Sequence, residues 1–155
     1  MSPTLQHDLK QKKPFRSLQQ EAYLSVVRTA TTLTDAMEDL VKARGISATQ
    51  YNVLRILRGS GAEELCRNEL RDRMLTRMPD MTRLLDRMED AGLVVRAREG
   101  DDRRMVMTRI TEKGRRLLDD LDAPVMALHR KQMAGLTDAQ LRSLSDLLTL
   151  VRDGG

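Results

Sequence analysis

One change in the spacing of apolar residues constrains the fold of this chain more than any other feature of its sequence. Over most of the 155 residues, apolar side chains recur at spacings of three and four, the period of an amphipathic helix. Between Leu93 and Thr111 the period becomes two, because "LVVRAR" and "MVMTRIT" alternate apolar and polar residues on either side of the charged stretch "EGDDRR". This alternation predicts a hairpin with a polar tip. We therefore expect a mainly α chain with one small β-hairpin.

The chain ahead of the hairpin begins with a long and then a short predicted helix. Residues 17–43 lack Gly and Pro and carry a helical apolar stripe, so they predict one long helix that stops at Gly45. Ser47 and Gln50 have the spacing of a capping box, which predicts a second helix. That helix should be short and largely buried, and it should end at Gly59–Gly61.

Two more short helices are predicted before the hairpin. The segment "LCRNELRDRML" predicts a third helix, anchored by Leu65, Leu70 and Met74. The segment "TRMPDMTRLLDRMEDAG" predicts a fourth, with Pro79 in its first turn, where a missing N–H costs nothing, and Gly92 as its stop. The apolar stripe of this fourth helix is interpreted as core, not as a cofactor site.

The chain after the hairpin predicts two helices. Thr111 is expected to cap the first of them, which Pro124 should kink or interrupt. Thr137 and Gln140 repeat the capping-box spacing and begin the second. This last helix is apolar over a wider arc than one packed face needs, through Leu141, Leu144, Leu147, Leu148, Leu150 and Val151.

Composition narrows the classes of function. Aromatic residues make up only 2% of the chain, which argues against stacking single-stranded nucleic acid on aromatic side chains. No apolar run reaches the length of a membrane span, and the N-terminal stretch "MSPTLQHDLKQKKPFRS" resembles a polar arm, not a signal peptide. Cys66, the single cysteine, fits a reducing cytoplasm. Its interpretation as a half-buried residue at a helix start is preferred to a role as a redox sensor.

The sequence offers no grouping that suggests catalysis or a bound cofactor. No His, Cys and carboxylate cluster has metal-binding spacing, and no nucleophile stands beside a base. We therefore expect neither a metal nor a cofactor, and we do not expect an enzyme. The positive charge is instead concentrated around the hairpin, since residues 93–116 carry eight basic and four acidic residues, an excess equal to the net charge of +4 of the whole chain.

The order of the predicted elements indicates a winged helix-turn-helix, in which the second of two short helices enters the major groove of DNA. The fourth predicted helix fits that role. The polar residues on the face opposite its apolar stripe are Asp80, Thr82, Arg83, Asp86 and Arg87. Arg can pair with guanine and Thr can contact bases or phosphate. Asp80 and Asp86 are expected to brace neighbouring arginines, and Arg77 to contact phosphate. Arg83 and Arg87 have the alternative of being solubilising residues, with Arg83 preferred as the reader.

The hairpin tip predicts a contact with the minor groove. Arg103 and Arg104 supply the cations that a narrow, negative groove attracts. Asp102 beside them is interpreted as a brace that holds one arginine in a fixed pose. We hypothesise that one arginine probes DNA while the other is tied down, and the sequence leaves open which. Taken alone, the charged stretch could equally be solvated surface; its flanking strands favour the DNA interpretation.

Two segments resemble the multiple antibiotic resistance regulator (MarR) family. The stretch "LLDRMEDAGLVVRAREGDDRRMVMTRITEKG" resembles the family's helix, strand, D-R-R wing tip and closing "LTxxG", with Ile110 for Leu. The segment "GISATQYNVLRIL" resembles its "LTxxQxxVLxxL". The tip departs from the pattern in one respect, since Glu99-Gly100 stand where relatives often carry Asp-Pro. The resemblance extends over roughly residues 20–150.

The resemblance implies a winged helix-turn-helix with N- and C-terminal dimerisation helices. Residues 1–16 would form a polar arm, residues 17–45 and 112–153 the dimerisation region, and residues 46–111 the DNA-binding domain. The function implied is that of a homodimeric, cytoplasmic repressor that binds a pseudo-palindromic operator on double-stranded DNA and is released by a small aromatic or anionic ligand. Tyr51 and the methionines are candidates for the ligand pocket, although each is equally well explained as core. The alternative is a winged-helix protein-interaction module that reads no DNA sequence.

Overall fold

The predicted elements occur in the predicted order, and a four-residue helix in the N-terminal arm and a three-residue strand at the start of the predicted third helix were not predicted. The computed structural model describes residues 4–61, 64–98 and 105–154. Over these ranges the elements are α1 (Leu5–Asp8), α2 (Leu18–Lys42), α3 (Ala48–Gly59), β1 (Glu64–Cys66), α4 (Arg67–Arg73), α5 (Met81–Asp90), β2 (Val94–Arg98), β3 (Val106–Ile110), α6 (Glu112–Gln132) and α7 (Asp138–Asp153). The prediction of a mainly helical chain with a small β wing is confirmed.

Three helices begin where the sequence predicts, because polar side chains satisfy backbone amides that have no partner within a helix. At α3, Gln50 N donates to Ser47 Oγ over 3.1 Å, and Ser47 N donates to Gln50 Oε1 over 3.0 Å. Thr137 and Gln140 form the same capping box at α7. At α6, the side chain of Thr111 accepts a hydrogen bond from the third residue of the helix.

The predicted third helix is wrong at its start. Glu64–Cys66 is the short strand β1, and the helix begins only at Arg67. The strand pairs antiparallel with β3, with Leu65 opposite Thr108, so the wing is a three-stranded sheet in the order β1-β3-β2. Leu65 and Thr108 are both buried, which explains the pairing: the strand covers the edge of β3 and buries its one central leucine. Three residues are too few to show a period of two.

The two proline predictions also need correction. Pro79 lies outside α5, because Asp80 is the N-cap and its Oδ1 accepts from Arg83 N over 2.9 Å. Pro124 does not interrupt its helix, since α6 runs without a break from Glu112 to Gln132, and a kink at Pro124 stays a prediction. The backbone bond that Pro124 cannot make would have reached the carbonyl of Asp120, an exposed residue whose carbonyl water can solvate.

Helix α3 organises the core and joins the two parts of the chain. It packs against α2, α4, α6 and β3, and its buried side chains are Tyr51, Val53, Leu54 and Leu57. On its outer face, Arg58 donates to Asp122 over 2.7 Å and 2.9 Å and to Asp119 over 3.0 Å, both on α6. These bonds lower the pKa of the Asp122 carboxyl. The winged part is therefore tied to α6 by packing and by ion pairs.

Gly114 marks the point where the wing meets α6 most closely. A Cβ placed there would lie 2.5 Å from the carbonyl oxygen of Leu93, 3.0 Å from Ile110 Cγ1 and 3.2 Å from Leu54 Cδ2. The first contact is with backbone, so no rotation of a side chain can relieve it. The glycine of the "ITEKG" segment is thus required by packing.

We expect Gly114→Ala to lower the free energy of unfolding by about 1–3 kcal/mol, the usual cost of overpacking a core. Gly59→Ala is the matched control, because a Cβ at that helical glycine meets nothing within 4 Å. It should leave stability unchanged or raise it slightly. Urea unfolding followed by circular dichroism measures both. Equal midpoints for Gly114→Ala and the unaltered protein would show that the junction relaxes around the methyl group.

Helix α7 has an unusual surface for the last helix of a small chain. None of its sixteen residues, all of which the structure describes, is buried. Its Leu147 and Val151 are 60% and 66% exposed. Near the opposite end of the chain, α2 exposes Leu18 and Tyr23. Apolar side chains this exposed on two helices are typical of surfaces that a partner covers.

Candidate nucleic-acid interface

Helix α5 separates an apolar face from a polar one as predicted. Met81, Leu84, Leu85 and Met88 are buried against the wing and α4, and this stripe is confirmed as core. The exposed residues among the predicted site are Thr82, Arg83 and Arg87, together with Arg77 in the turn before the helix and the N-cap Asp80. The structure therefore places five predicted residues on one continuous segment at the surface.

The three arginines of this segment form no ion pair with any described residue. Within residues 4–61, 64–98 and 105–154, Arg77, Arg83 and Arg87 have no carboxylate within 4.0 Å. Asp80 lies close by, but its carboxylate accepts from the backbone of Arg83 and so caps the helix instead of pairing with a guanidinium. An exposed helix with unpaired guanidinium groups is suited to binding phosphate and guanine edges.

Asp86 braces an arginine, although not one on its own helix. It accepts from Nη2 of Arg96 on β2, and Glu89 accepts from the same nitrogen over 3.1 Å. Glu89 also accepts from the backbone N of Arg96 over 2.8 Å, and the side-chain and backbone bonds from Arg96 lower the pKa of the Glu89 carboxyl. Arg96 therefore joins β2 of the wing to α5. In the sequence, Arg96 is marked only as one of the basic residues of segment 93–116.

A second arginine that the sequence did not single out contacts the predicted reading surface. Arg67, the first residue of α4, donates from Nη1 to Thr82 Oγ1 over 2.9 Å. Both residues are exposed. The contact joins the first turns of the two helices of the helix-turn-helix. The sequence signal for it was a basic residue at the start of the preceding helix, but the 15-residue separation hides the pairing.

The tip of the wing lies outside the described residues. Strands β2 and β3 are paired from Val94 opposite Ile110 to Arg98 opposite Val106. The predicted tip residues Asp102, Arg103 and Arg104 lie in 99–104, beyond the last described pair. At the base of the sheet, Arg109 donates to Glu64 over 2.6 Å and holds β1 to β3. The predicted hairpin is confirmed up to its tip.

Cys66 lies where the sequence predicts a structural role. It is half-buried at the N-cap of α4, and its backbone N donates to Glu69 over 2.9 Å. The described parts of the chain contain no group of three or more His, Cys, Asp or Glu residues arranged to hold a metal ion. No helix in the described ranges is both long and apolar enough to cross a bilayer.

An exposed basic helix beside a short three-stranded wing defines a winged helix-turn-helix DNA-binding module. The profile of the MarR family matches residues 44–105, which extend from the start of the module into the wing. A MarR transcription factor from Planctomyces limnophilus is 39% identical, with a TM-score of 0.68 over 88% of this chain and 99% of that one. The chain belongs to the MarR family and is a DNA-binding transcription regulator.

Two other solved structures share the fold. Sco3205, a MarR family regulator from Streptomyces coelicolor in complex with DNA, superposes with a TM-score of 0.80 at 22% identity, over 93% of this chain and 92% of that one. NadR in complex with 4-hydroxyphenylacetate has a TM-score of 0.70 at 24% identity, over 90% of this chain and 97% of that one. At these identities the similarity establishes the arrangement of the elements.

Proposed function

We propose that this regulator is a homodimeric repressor that binds a pseudo-palindromic operator through α5 and the wing of each subunit. The observation that carries the proposal is the exposed face of α5, where Arg83 and Arg87 have no carboxylate partner among the described residues. A helix with this face is suited to the major groove. The Sco3205 complex supports the proposal, because that protein of the same fold binds DNA.

The predicted residues take distinct roles in this proposal. Thr82, Arg83 and Arg87 face the bases of the major groove, and Arg77 contacts phosphate in the turn before the helix. Asp80 supports them as the helix cap. Arg103 or Arg104 enters the minor groove, and Asp102 braces the other arginine. The DNA-binding domain corresponds to residues 46–111.

The remaining helices form the dimerisation region in this proposal. Residues 17–45 and 112–153 contain α2, α6 and α7, and the exposed apolar side chains of α2 and α7 lie within them. Burying these faces against a second copy removes them from water, which stabilises association. Residues 1–16 form a polar arm ahead of this region. A two-fold dimer presents two copies of α5 to half-sites whose centres lie about 10 bp apart, or a multiple of that.

A small aromatic or anionic ligand releases the repressor in this proposal. Tyr51, a residue of α3 next to the junction with α2, is only 8% exposed, and its hydroxyl has no hydrogen-bond partner within the described ranges. A buried polar group without a partner is costly, so a ligand that supplied one would be favoured. The 4-hydroxyphenylacetate bound by NadR has an aromatic ring and an anionic group. Regulation would thus operate by binding in the cytoplasm, without catalysis.

The alternative is a winged-helix module that binds proteins and reads no DNA sequence. The two functions differ in their response to base sequence, because contacts with bases specify a site whereas contacts with phosphate only position the protein. An unpaired Arg83 on the exposed face of α5 favours reading of bases. Substituting that arginine therefore tests the proposed function.

We expect Arg83→Ala to weaken operator binding by about 1–3 kcal/mol if Arg83 makes a paired contact with guanine. Binding to random duplex should weaken much less. Fluorescence anisotropy with operator, random duplex and an operator whose half-site spacing is altered by half a helical turn measures all three affinities. Equal losses on operator and random duplex would make Arg83 a phosphate contact. If the unaltered protein prefers no sequence, the interaction-module function replaces the proposed one.

A further inference from the structure

The bond between Arg67 and Thr82 has a direction that chemistry fixes. A guanidinium group carries only donors and stays protonated, so the Thr82 hydroxyl must accept in the 2.9 Å contact with Arg67 Nη1. A hydroxyl has one proton to donate besides its lone pairs. Accepting from Arg67 therefore leaves the Thr82 proton available for a separate bond.

That proton is not used elsewhere in the described protein. Threonines inside the helices donate to the carbonyl four residues earlier: Thr31 donates to Val27 O over 3.0 Å and Thr149 to Ser145 O over 3.0 Å. Thr82 is the second residue of α5, so the helix offers no carbonyl behind it. Across the described ranges, the hydroxyl proton of Thr82 has no acceptor.

Arg67 also makes this hydroxyl a better donor. Its guanidinium has no carboxylate within 4.0 Å among the described residues, so its charge is not neutralised by a neighbour. A hydroxyl that accepts from a cation is polarised, and the bond that it donates becomes stronger. Thr82 is exposed on the face of α5 proposed to meet the bases, so its proton is available to a base when a groove covers this face.

We infer that Arg67 is a specificity-determining positioning residue. Because Arg67 donates to the Thr82 hydroxyl, that hydroxyl offers its proton to DNA, and Thr82 therefore selects a hydrogen-bond acceptor on one base edge of the operator. Purine N7, guanine O6 and thymine O4 are such acceptors in the major groove, whereas the amino groups of cytosine and adenine are donors and are rejected. This inference rests on the proposed function, because it requires α5 to lie in the major groove.

The test uses the tightest duplex that the unaltered protein selects from a randomised library. All four base pairs are placed in turn at each half-site position, and 7-deazapurines remove N7 atoms one at a time. Affinities are compared for the unaltered protein, Arg67→Met, Thr82→Val, Thr82→Ser and the double variant of Arg67→Met with Thr82→Val. Arg71→Met is the matched control, since Arg71 is an exposed arginine of the same helix whose only ion pair in the described residues is with Asp72.

We expect one base position at which the unaltered protein prefers an acceptor by about tenfold, which is about 1.4 kcal/mol. At that position alone, Arg67→Met and Thr82→Val should each reduce the preference to about twofold or less, and the double variant should lose no more than Thr82→Val alone. Thr82→Ser should retain the base preference. Arg71→Met should lower the affinity for DNA without changing that preference.

Two results would overturn the inference while leaving the proposed function intact. In the first, Arg67→Met leaves the base selectivity unchanged at every position, just as Arg71→Met does. That result would make Arg67 a phosphate contact. The other is a selected position whose preference does not depend on Thr82. If the unaltered protein selects no duplex at all, the proposed function fails and the inference fails with it.

Discussion

A protein carrying Leu147→Glu and Val151→Glu is expected to be monomeric and to lose at least about a hundredfold in operator affinity. These two side chains lie one turn apart on α7 and are 60% and 66% exposed in the single chain. Burying an apolar side chain of this size stabilises association by about 1.5–3 kcal/mol, and a dimer buries two copies of each side chain. Placing four carboxylates in the same interface opposes association further.

Light scattering at micromolar protein tests this expectation directly. The unaltered protein should have about twice the chain mass of 17.6 kDa, and the double variant should have the chain mass. Thr149→Glu is the control, because Thr149 lies on the face of α7 opposite the apolar arc and is exposed. It should remain dimeric and bind the operator normally. A double variant that stays dimeric would place the interface on other elements.

Replacing both Arg103 and Arg104 by Ala is expected to weaken binding to operator and random duplex alike. Each cation that neutralises a phosphate contributes about 0.9 to the slope of log affinity against log salt, so losing both should flatten the slope by up to about 1.8. If only one arginine enters the groove while Asp102 ties down the other, the change should be about half of that. Anisotropy titrations across a salt series measure the slope.

Two further variants sharpen the wing experiment. The pair Arg130→Ala and Arg142→Ala removes the same charge from exposed positions on α6 and α7, and it should leave the slope nearly unchanged. Asp102→Ala should weaken binding even though it raises the net positive charge, because the braced arginine becomes free to move. Tighter binding by Asp102→Ala would show that this carboxylate only repels phosphate. An unchanged slope in the double arginine variant would leave the tip in solvent.

The parts of the fold that local chemistry determines could be predicted from the sequence. The capping box of Ser47 and Gln50 and the cap of Thr111 involve residues three apart, so their spacing is visible in the chain. The alternation of "LVVRAR" and "MVMTRIT" predicts the two strands but not their buried face, since Val95 is 50% exposed whereas Thr108 is buried. The prediction of the α5 stripe succeeded because the period of a helix is local.

The predictions from the sequence were wrong or incomplete where tertiary contacts determine the structure. Strand β1 exists because Leu65 pairs across the sheet with Thr108, 43 positions along the chain, and three residues show no period by themselves. The bonds from Arg96 to Glu89 and from Arg67 to Thr82 join different elements, so no local pattern marks them. The prediction that Pro79 lies in the first turn is wrong because Asp80, a stronger N-cap, follows it, and the helix begins two residues after Pro79, at Met81.

The ratio of the protein's affinities for operator and random duplex decides whether the chain reads DNA sequence. The measurement is made at one salt concentration near physiological and repeated in a salt series, with the duplex selected by the protein itself. We predict a ratio of at least about a thousandfold, with both affinities falling steeply as salt increases. A ratio near one, or binding that does not respond to salt, would show that the protein is not a sequence-reading DNA-binding regulator.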